Sequence, residues 1–268
     1  MHELVLFNST LLGAEEALLP AVSSAAQNGK GVFTTIAIYD GEPFLWERHW
    51  RRLAEHSIRV GIDLRPFDCD VTRRGLDRLL TSNLVKDGRA RITFFDGSPS
   101  KLWPFPLDQG TNLVITTAGP RSKPRPLRLG LSPYRINSAS PLAGVKSCNY
   151  LEKILALDDA KLRDFDEAVQ LNERSEIASA CMANIFWHNG GRLFTPSMAT
   201  GCLAGTTREF VLGKVACEEV QAGIDQLREA DMIVLTSAGI GAVMVDEFEG
   251  RRLEASNHPI LELHPAGI

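Results

Sequence analysis

Lys146 lies in "PLAGVKSCNY", a lysine set among small and apolar residues. A lysine taken out of water loses part of its charge preference and becomes an amine nucleophile toward carbonyl carbon. Read alone, the same residue is an ordinary loop lysine. Two further stretches could hold an anion. "AGTTRE" (204–209) places Gly205, Thr206 and Thr207 at a helix start, where backbone N–H groups and the helix dipole favour negative charge. "LTSAG" (235–239) ends an apolar run with hydroxyls and small residues, Ser237 and Ala238 among them. A threonine at a helix start is also simply a cap. Arg52, in "HWRRL", could supply a fixed charge to such an anion, or could be a solvated helix arginine.

Other chemistries find no support. There is no G-x-x-x-x-G-K-[ST] loop and no G-x-S-x-G elbow. "GIGAVM" lacks the third glycine of a dinucleotide fingerprint. The six histidines form no H-x-x-x-H pair, so no metal site is expected. The five cysteines, Cys69, Cys148, Cys181, Cys202 and Cys217, form no C-x-x-C pair and suit a reduced, cytoplasmic setting. A net charge of −4 argues against nucleic acid as a partner. "MHELVLFNST" has neither a basic start nor a long apolar run, so no signal peptide is expected. No stretch reaches the roughly 20 apolar residues of a membrane span.

The elements that must carry these residues alternate along 268 positions, 44% of them hydrophobic. "GVFTTIAIYDGEPFLW" reads as two strands joined at Asp40-Gly41. "ERHWRRLAEHSIRVG" follows as a helix with Trp50, Leu53 and Ile58 on or near one face, and "VTRRGLDRLLTSNLV" as another. "ARITFFDG" and "TNLVITT" read as strands. The proline-rich, basic "GPRSKPRP" then marks a boundary, giving domains at 1–119 and 127–268 with a linker at 120–126. An ordinary surface loop within one domain is the other reading of it. Beyond it, "LRLGLSPYRI" is extended, and "NYLEKILALDDAKL" is a helix with Leu151, Ile154, Leu155 and Leu162 at helical spacing. "EAVQLN", "EIASA", "ANIFWH" and "MIVLTSA" are strands, and "TTREFVLGKV" begins a helix.

Taken in order, "GVFTTIAIYDGEPFLWERHWRRL", "GVKSCNYLEKILALDDA", "DEAVQLN", "ANIFWHNGGRLFTP" and "LAGTTREFVL" resemble the class IV group of pyridoxal-phosphate enzymes. That group holds branched-chain aminotransferases, D-amino acid aminotransferases and 4-amino-4-deoxychorismate lyases. The resemblance implies an α+β, two-domain fold of type IV, like D-amino acid aminotransferase, forming a homodimer. Pyridoxal 5'-phosphate would lie in the interdomain cleft. It makes Lys146, in the larger C-terminal domain, the Schiff-base lysine. It makes Arg52 of H-x-x-R-L a phosphate ligand, with His49 and Leu53 in place. Thr206 and Thr207 match one phosphate-binding turn, and Ser237 and Ala238 the other. Within the group, Phe33 and Thr35 of "F-T-T", and the spacing of "LAGVKSCNYLEK", are closer to the lyases.

Two departures stand out. Relatives usually carry glutamate five residues before the Asn of N-[IL]-F. Here Ser179 stands there, followed by Ala180. Glu176 is three residues away and is no substitute. A carboxylate facing the pyridine nitrogen keeps it protonated, and the cationic ring is the electron sink that transamination exploits. Serine cannot stabilise that cation to the same degree. Elimination that releases pyruvate and forms an aromatic ring has its own driving force, so Ser179 leans toward the lyase, or toward weakened catalysis and cofactor binding. Asp96 falls where an arginine often stands, which leaves Arg91 or Arg135 as partners for substrate carboxylates. The expected reaction is conversion of 4-amino-4-deoxychorismate to 4-aminobenzoate and pyruvate, in folate synthesis. The alternatives are an aminotransferase of branched-chain or D-amino acids, and a non-catalytic ligand-binding relative.

Overall fold

The computed structural model describes residues 1–100, 110–121 and 126–263. The chain forms two compact units. Met1–Arg121 and Val145–Asn149 make the first, and Ser122–Gly144 and Tyr150–Ile268 the second. The strongest part of the expected linker, residues 122–125, lies outside the described residues. The sequence places Lys146 with residues 127–268, but its segment packs with the first unit.

The reason is backbone pairing. The first unit is a six-stranded sheet in the order β2-β1-β6-β5-β3-β4. Its strands are β1 (Leu4–Phe7), β2 (Thr10–Gly13), β3 (Gly31–Tyr39), β4 (Glu42–Pro43), β5 (Gly88–Asp96) and β6 (Thr111–Ala118). At the free edge of β3, the Phe33 N–H donates to the Lys146 carbonyl at 3.0 Å and the Cys148 N–H to the Gly31 carbonyl at 2.8 Å. These bonds, with the bridge between Val32 and Ser147, hold residues 145–149 against the start of β3. Gly31 permits the approach: a Cβ there would meet the Cys148 sulfur at 2.7 Å and the Phe94 carbonyl at 3.0 Å.

Three helices belong to this unit: α1 (Ser24–Asn28), α2 (Trp46–Val60) and α3 (Cys69–Ser82). Val32, Ile36 and Ile38 of β3 join Leu53 of α2, Leu76 and Leu79 of α3, and Ile92, Phe94 and Ile115 in one core. Period-two alternation places these strand residues on the helix-covered face. The Asp40-Gly41 turn is as expected, both residues having positive φ (49° and 81°). The second strand is shorter than the sequence suggests, because α2 starts at Trp46. Within α2, Ile58 is exposed, and the buried face is Trp46, His49, Arg52, Leu53, His56 and Ser57. Four of those six are polar, which hydrophobic spacing cannot reveal.

The second unit contains two five-stranded sheets, β12-β11-β10-β13-β14 and β16-β15-β7-β8-β9. Their strands are β7 (Arg128–Leu131), β8 (Glu167–Leu171), β9 (Ile177–Ala180), β10 (Asn184–Asn189), β11 (Arg192–Pro196), β12 (Glu218–Val220), β13 (Met232–Ser237), β14 (Gly241–Met244), β15 (Glu247–Phe248) and β16 (Arg251–Arg252). The helices are α4 (Leu151–Leu162), α5 (Thr206–Leu212) and α6 (Asp225–Arg228). Leu129, Val169, Ile177, Ile185, Trp187, Ile233, Leu235 and Phe248 join both sheets in one core. The opposite faces are covered by helices. Ala156, Leu157 and Ala160 of α4 pack on Ala168 and Cys181. Val211 of α5 packs on Phe186, Met232 and Val234.

The leucines of α4 are not the buried stripe that their spacing suggests. Leu151, Ile154, Leu155 and Leu162 are exposed. The small residues Ala156 and Ala160 face the sheet, because they let the helix backbone come close to β8.

Candidate active site

Each unit presents its own group of polar residues. In the first, Phe33 and Thr34 point to opposite faces of β3. Lys146 Nζ lies 4.5 Å from the centroid of the Phe33 ring, and the Arg91 guanidinium 3.7 Å from it. Phe33 is buried, so it offers both cations an apolar wall. Thr35 is opposite Arg91 in the ladder. Four of the expected residues, Phe33, Thr35, Arg91 and Lys146, are thus neighbours on one surface.

On the other face, Arg52 Nη2 donates to Thr34 Oγ1 at 2.7 Å, and Thr34 Oγ1 is 2.6 Å from His49 Nδ1. The hydroxyl accepts from the guanidinium and still has a proton that it can donate to His49 Nδ1 when that ring is neutral. Burial, then Arg52 and Lys146, hold it well below the usual histidine range. Thr34 is the middle residue of "F-T-T", and sequence reasoning passes over it. Its signal is a hydroxyl at an apolar-facing strand position.

Sequence reasoning also misses His56. The Lys146 N–H donates to its Nδ1 at 3.0 Å, so the lysine backbone is pinned on both sides: by His56 at the N–H and by Phe33 at the carbonyl. Burial first, and then Arg52, Arg59 and Lys146, push the His56 pKa down to about 4. The consequence for stability has a definite sign. Above pH 6.5 both folded and unfolded forms are neutral and the contribution is complete. Between 6.5 and about 4 only the unfolded form takes up the proton, so stability falls as pH falls. Urea unfolding from pH 7 to 4.5 should therefore lose about 2–3 kcal/mol through this residue. His56→Asn keeps an acceptor but does not titrate, and should flatten the profile by that amount. Superimposable profiles for the two proteins would show that His56 is not held neutral.

In the second unit, Thr206 and Thr207 open α5 and are buried. Gly205 is the N-cap and makes no side-chain cap bond. Glycine is required there, since a Cβ would collide with Asn184 Oδ1. Asn184 in turn donates to the Leu203 carbonyl at 2.8 Å, tying this turn to β10. Arg208 of the same motif is used structurally, reaching the Pro196 carbonyl at 2.7 Å and Glu219 at 2.6 Å. Asn184 is opposite Thr236 in the β10–β13 ladder, and the buried Thr236 Oγ1 has no hydrogen-bond partner among the described residues. Ser237 and Ala238 follow at the end of β13, half-buried.

Ser179 sits in β9 opposite Gln170 of β8. It is 4% exposed and its Oγ has no partner among the described residues. A buried hydroxyl without a partner is costly, so a water or a ligand is called for there. Glu176 is elsewhere engaged, accepting from Arg174 at 2.8 Å and Asn172 at 2.7 Å. Asp96 is paired with Lys30 at 2.9 Å. Arg135 is exposed and donates to the Asn172 carbonyl at 2.9 Å and Ser175 at 3.0 Å, so it serves to hold that turn. Among the described residues no His, Cys, Asp and Glu side chains cluster as a metal site would, and no helix is long and apolar enough to cross a membrane.

Known proteins resemble this chain in sequence and in fold. The sequence model of the family Amino-transferase class IV matches residues 31–248. The aminodeoxychorismate lyase of Bacillus subtilis (strain 168) is 28% identical over 213 residues, covering 78% of this chain and 72% of that protein. The D-alanine aminotransferase of Listeria innocua is 23% identical over 255 residues, covering 92% of this chain and 88% of that protein. Among solved structures, the branched-chain aminotransferase of Thermoproteus uzoniensis, crystallised with norvaline, superimposes with a TM-score of 0.90 at 23% identity, covering 98% of this chain and 92% of that one.

Proposed function

This chain belongs to the class IV aminotransferases, a family of pyridoxal 5'-phosphate enzymes, and from that premise we propose that it is a lyase converting 4-amino-4-deoxychorismate to 4-aminobenzoate and pyruvate. Ser179 carries the choice of reaction. A buried hydroxyl, not a carboxylate, occupies the place expected to face the pyridine nitrogen. Likeness to the lyase of Bacillus subtilis supports the same reading. Likeness to the D-alanine aminotransferase of Listeria innocua favours the runner-up, transamination of branched-chain or D-amino acids.

The residues suit the cofactor. A phosphate dianion needs converging donors, and Arg52, Thr206, Thr207, Ser237 and Ala238 offer a guanidinium, hydroxyls and backbone N–H groups. The partnerless hydroxyls of Ser179 and Thr236 are further places for a polar ligand. Lys146 would hold the cofactor covalently, with its side chain set against the Phe33 ring. When bound, pyridoxal phosphate supplies a conjugated ring that withdraws electron density from the substrate carbon. The chain's part is acid–base chemistry at Lys146 Nζ. It would take the proton from the carbon bearing the substrate amine and return one to the enolpyruvyl group as it leaves. Arg91, whose guanidinium lies over the Phe33 ring, would meet a substrate carboxylate.

The homodimer and cytoplasmic setting are part of the proposal. The exposed Leu151, Ile154 and Leu155 of α4 offer apolar surface that a second copy would cover, and all five cysteines are free.

The test is to follow both reactions on one protein. With 4-amino-4-deoxychorismate, 4-aminobenzoate and pyruvate should appear in equal amounts. With D-alanine or L-leucine and 2-oxoglutarate, transfer should be slower. Transamination faster than elimination would install the runner-up.

A further inference from the structure

The cofactor reading leaves open what sets the protonation of the ring nitrogen when no glutamate is present. Ser179 and Gln170 are directly opposed in the antiparallel ladder, so their side chains share one face, with Cβ atoms about 4.5–5.5 Å apart. It is the face covered by α4, as the packing of Ala168 and Cys181 under that helix shows. From α4, Lys153 Nζ donates to Gln170 Oε1 at 3.1 Å. With its oxygen held by Lys153, the Gln170 amide turns its NH2 group, a donor, away from that ammonium. Ser179 Oγ is uncommitted.

Resting on the reading of Ser179 as the group that faces the ring, we propose that Lys153, acting through Gln170, is a positioning residue that makes this face donate to the ring nitrogen and so keeps the cofactor pyridine unprotonated. A hydroxyl alone does not decide the matter, since it can donate to a bare nitrogen or accept from a protonated one. The ammonium of Lys153, linked to this face through the Gln170 amide, tips the balance toward the bare nitrogen, because a cation nearby opposes a second positive charge.

The other charged and titratable groups near Lys153 do not supply the missing anion at Ser179. Burial pulls Lys153 below the usual lysine range, against Glu167 and Glu152, which raise it. Both Glu167 oxygens accept from the Met182 N–H, at 3.1 and 3.3 Å, which fixes that carboxylate at the start of β8. Glu152 is exposed on α4. Burial and Glu167 push the Cys181 thiol up to about 12, and burial pushes Cys202 up, so both remain neutral. An unprotonated ring withdraws electrons weakly, which suits elimination driven by aromatisation better than transamination.

The experiment loads the intact protein with pyridoxal phosphate isotope-labelled at the ring nitrogen and follows the nitrogen resonance from pH 5 to 9. The native protein should show the unprotonated shift at pH 7. Ser179→Glu with Ala180→Gly should show the protonated one. Lys153→Met should move the protonation midpoint up by about one pH unit, and Lys153→Arg should leave it in place. A native ring nitrogen protonated at pH 7 overturns the inference while the cofactor reading survives. So does a Lys153→Met protein, cofactor bound, with an unmoved midpoint. If Lys153→Met fails to fold, Gln170→Met makes the same test by cutting the link from the Ser179 side. A native protein that takes up no cofactor overturns the cofactor reading and this inference together.

Discussion

Lys146→Ala should fold normally and turn over 4-amino-4-deoxychorismate about 10³–10⁴-fold more slowly than the native protein, the loss expected when a positioned acid–base group is removed. Normal folding follows from how the residue is held. Its segment is anchored by the Lys146 carbonyl and N–H, to Phe33 and His56, and by the Cys148 N–H, none of which involves the side chain. Thermal unfolding should therefore change by no more than a few degrees. Lys146→Arg should not recover activity, because guanidinium neither forms the covalent link nor gives up its proton near neutrality. Product formed by Lys146→Ala at a native rate would remove this residue from the chemistry.

Arg52→Ala should weaken cofactor binding by about 2–4 kcal/mol, roughly 30- to 1000-fold in Kd. Arg52 is 7% exposed, and its Nη2 donates to a neutral hydroxyl, that of Thr34. A buried guanidinium is retained at a desolvation cost of several kcal/mol, and a bound phosphate dianion would offset that cost. Removing the charge should also relieve His49 and His56, both of which Arg52 holds down. Arg52→Lys should recover part of the affinity, keeping the charge without the planar fork. Titration of the apoprotein with pyridoxal phosphate, read by absorbance, gives the Kd. An Arg52→Ala protein that binds as tightly as its parent would return Arg52 to a packing role.

Much of the fold is legible in the sequence because local chemistry and spacing carry it. Asp40-Gly41 announces the β3–β4 turn, and the helices α2 to α5 begin close to where the sequence places them. What is lost lies in the choice of faces. Hydrophobic spacing names a stripe but not its neighbour. On α2 the buried stripe includes His49, Arg52 and His56, polar residues that read as solvated. On α4 the sheet takes Ala156 and Ala160, leaving Leu151 and Leu155 outside. The segment of Lys146 joins the first unit through the bonds of Lys146 to Phe33 and of Cys148 to Gly31, more than a hundred positions earlier in the chain, and no local signal reports such pairing. Thr34 and His56 escape for the same reason: their roles exist only once β3, α2 and the lysine segment meet.

The proposed chemistry turns on Lys146 as the residue that holds the cofactor. The direct measurement is to supply the protein with pyridoxal phosphate, reduce it with borohydride, digest it and sequence the pyridoxyl peptide. The label should fall on Lys146 in "GVKSCNYLEK", at one group per chain, and should be absent from Lys153 seven residues on. A label on another lysine, or none after cofactor has been supplied, would take this role from Lys146.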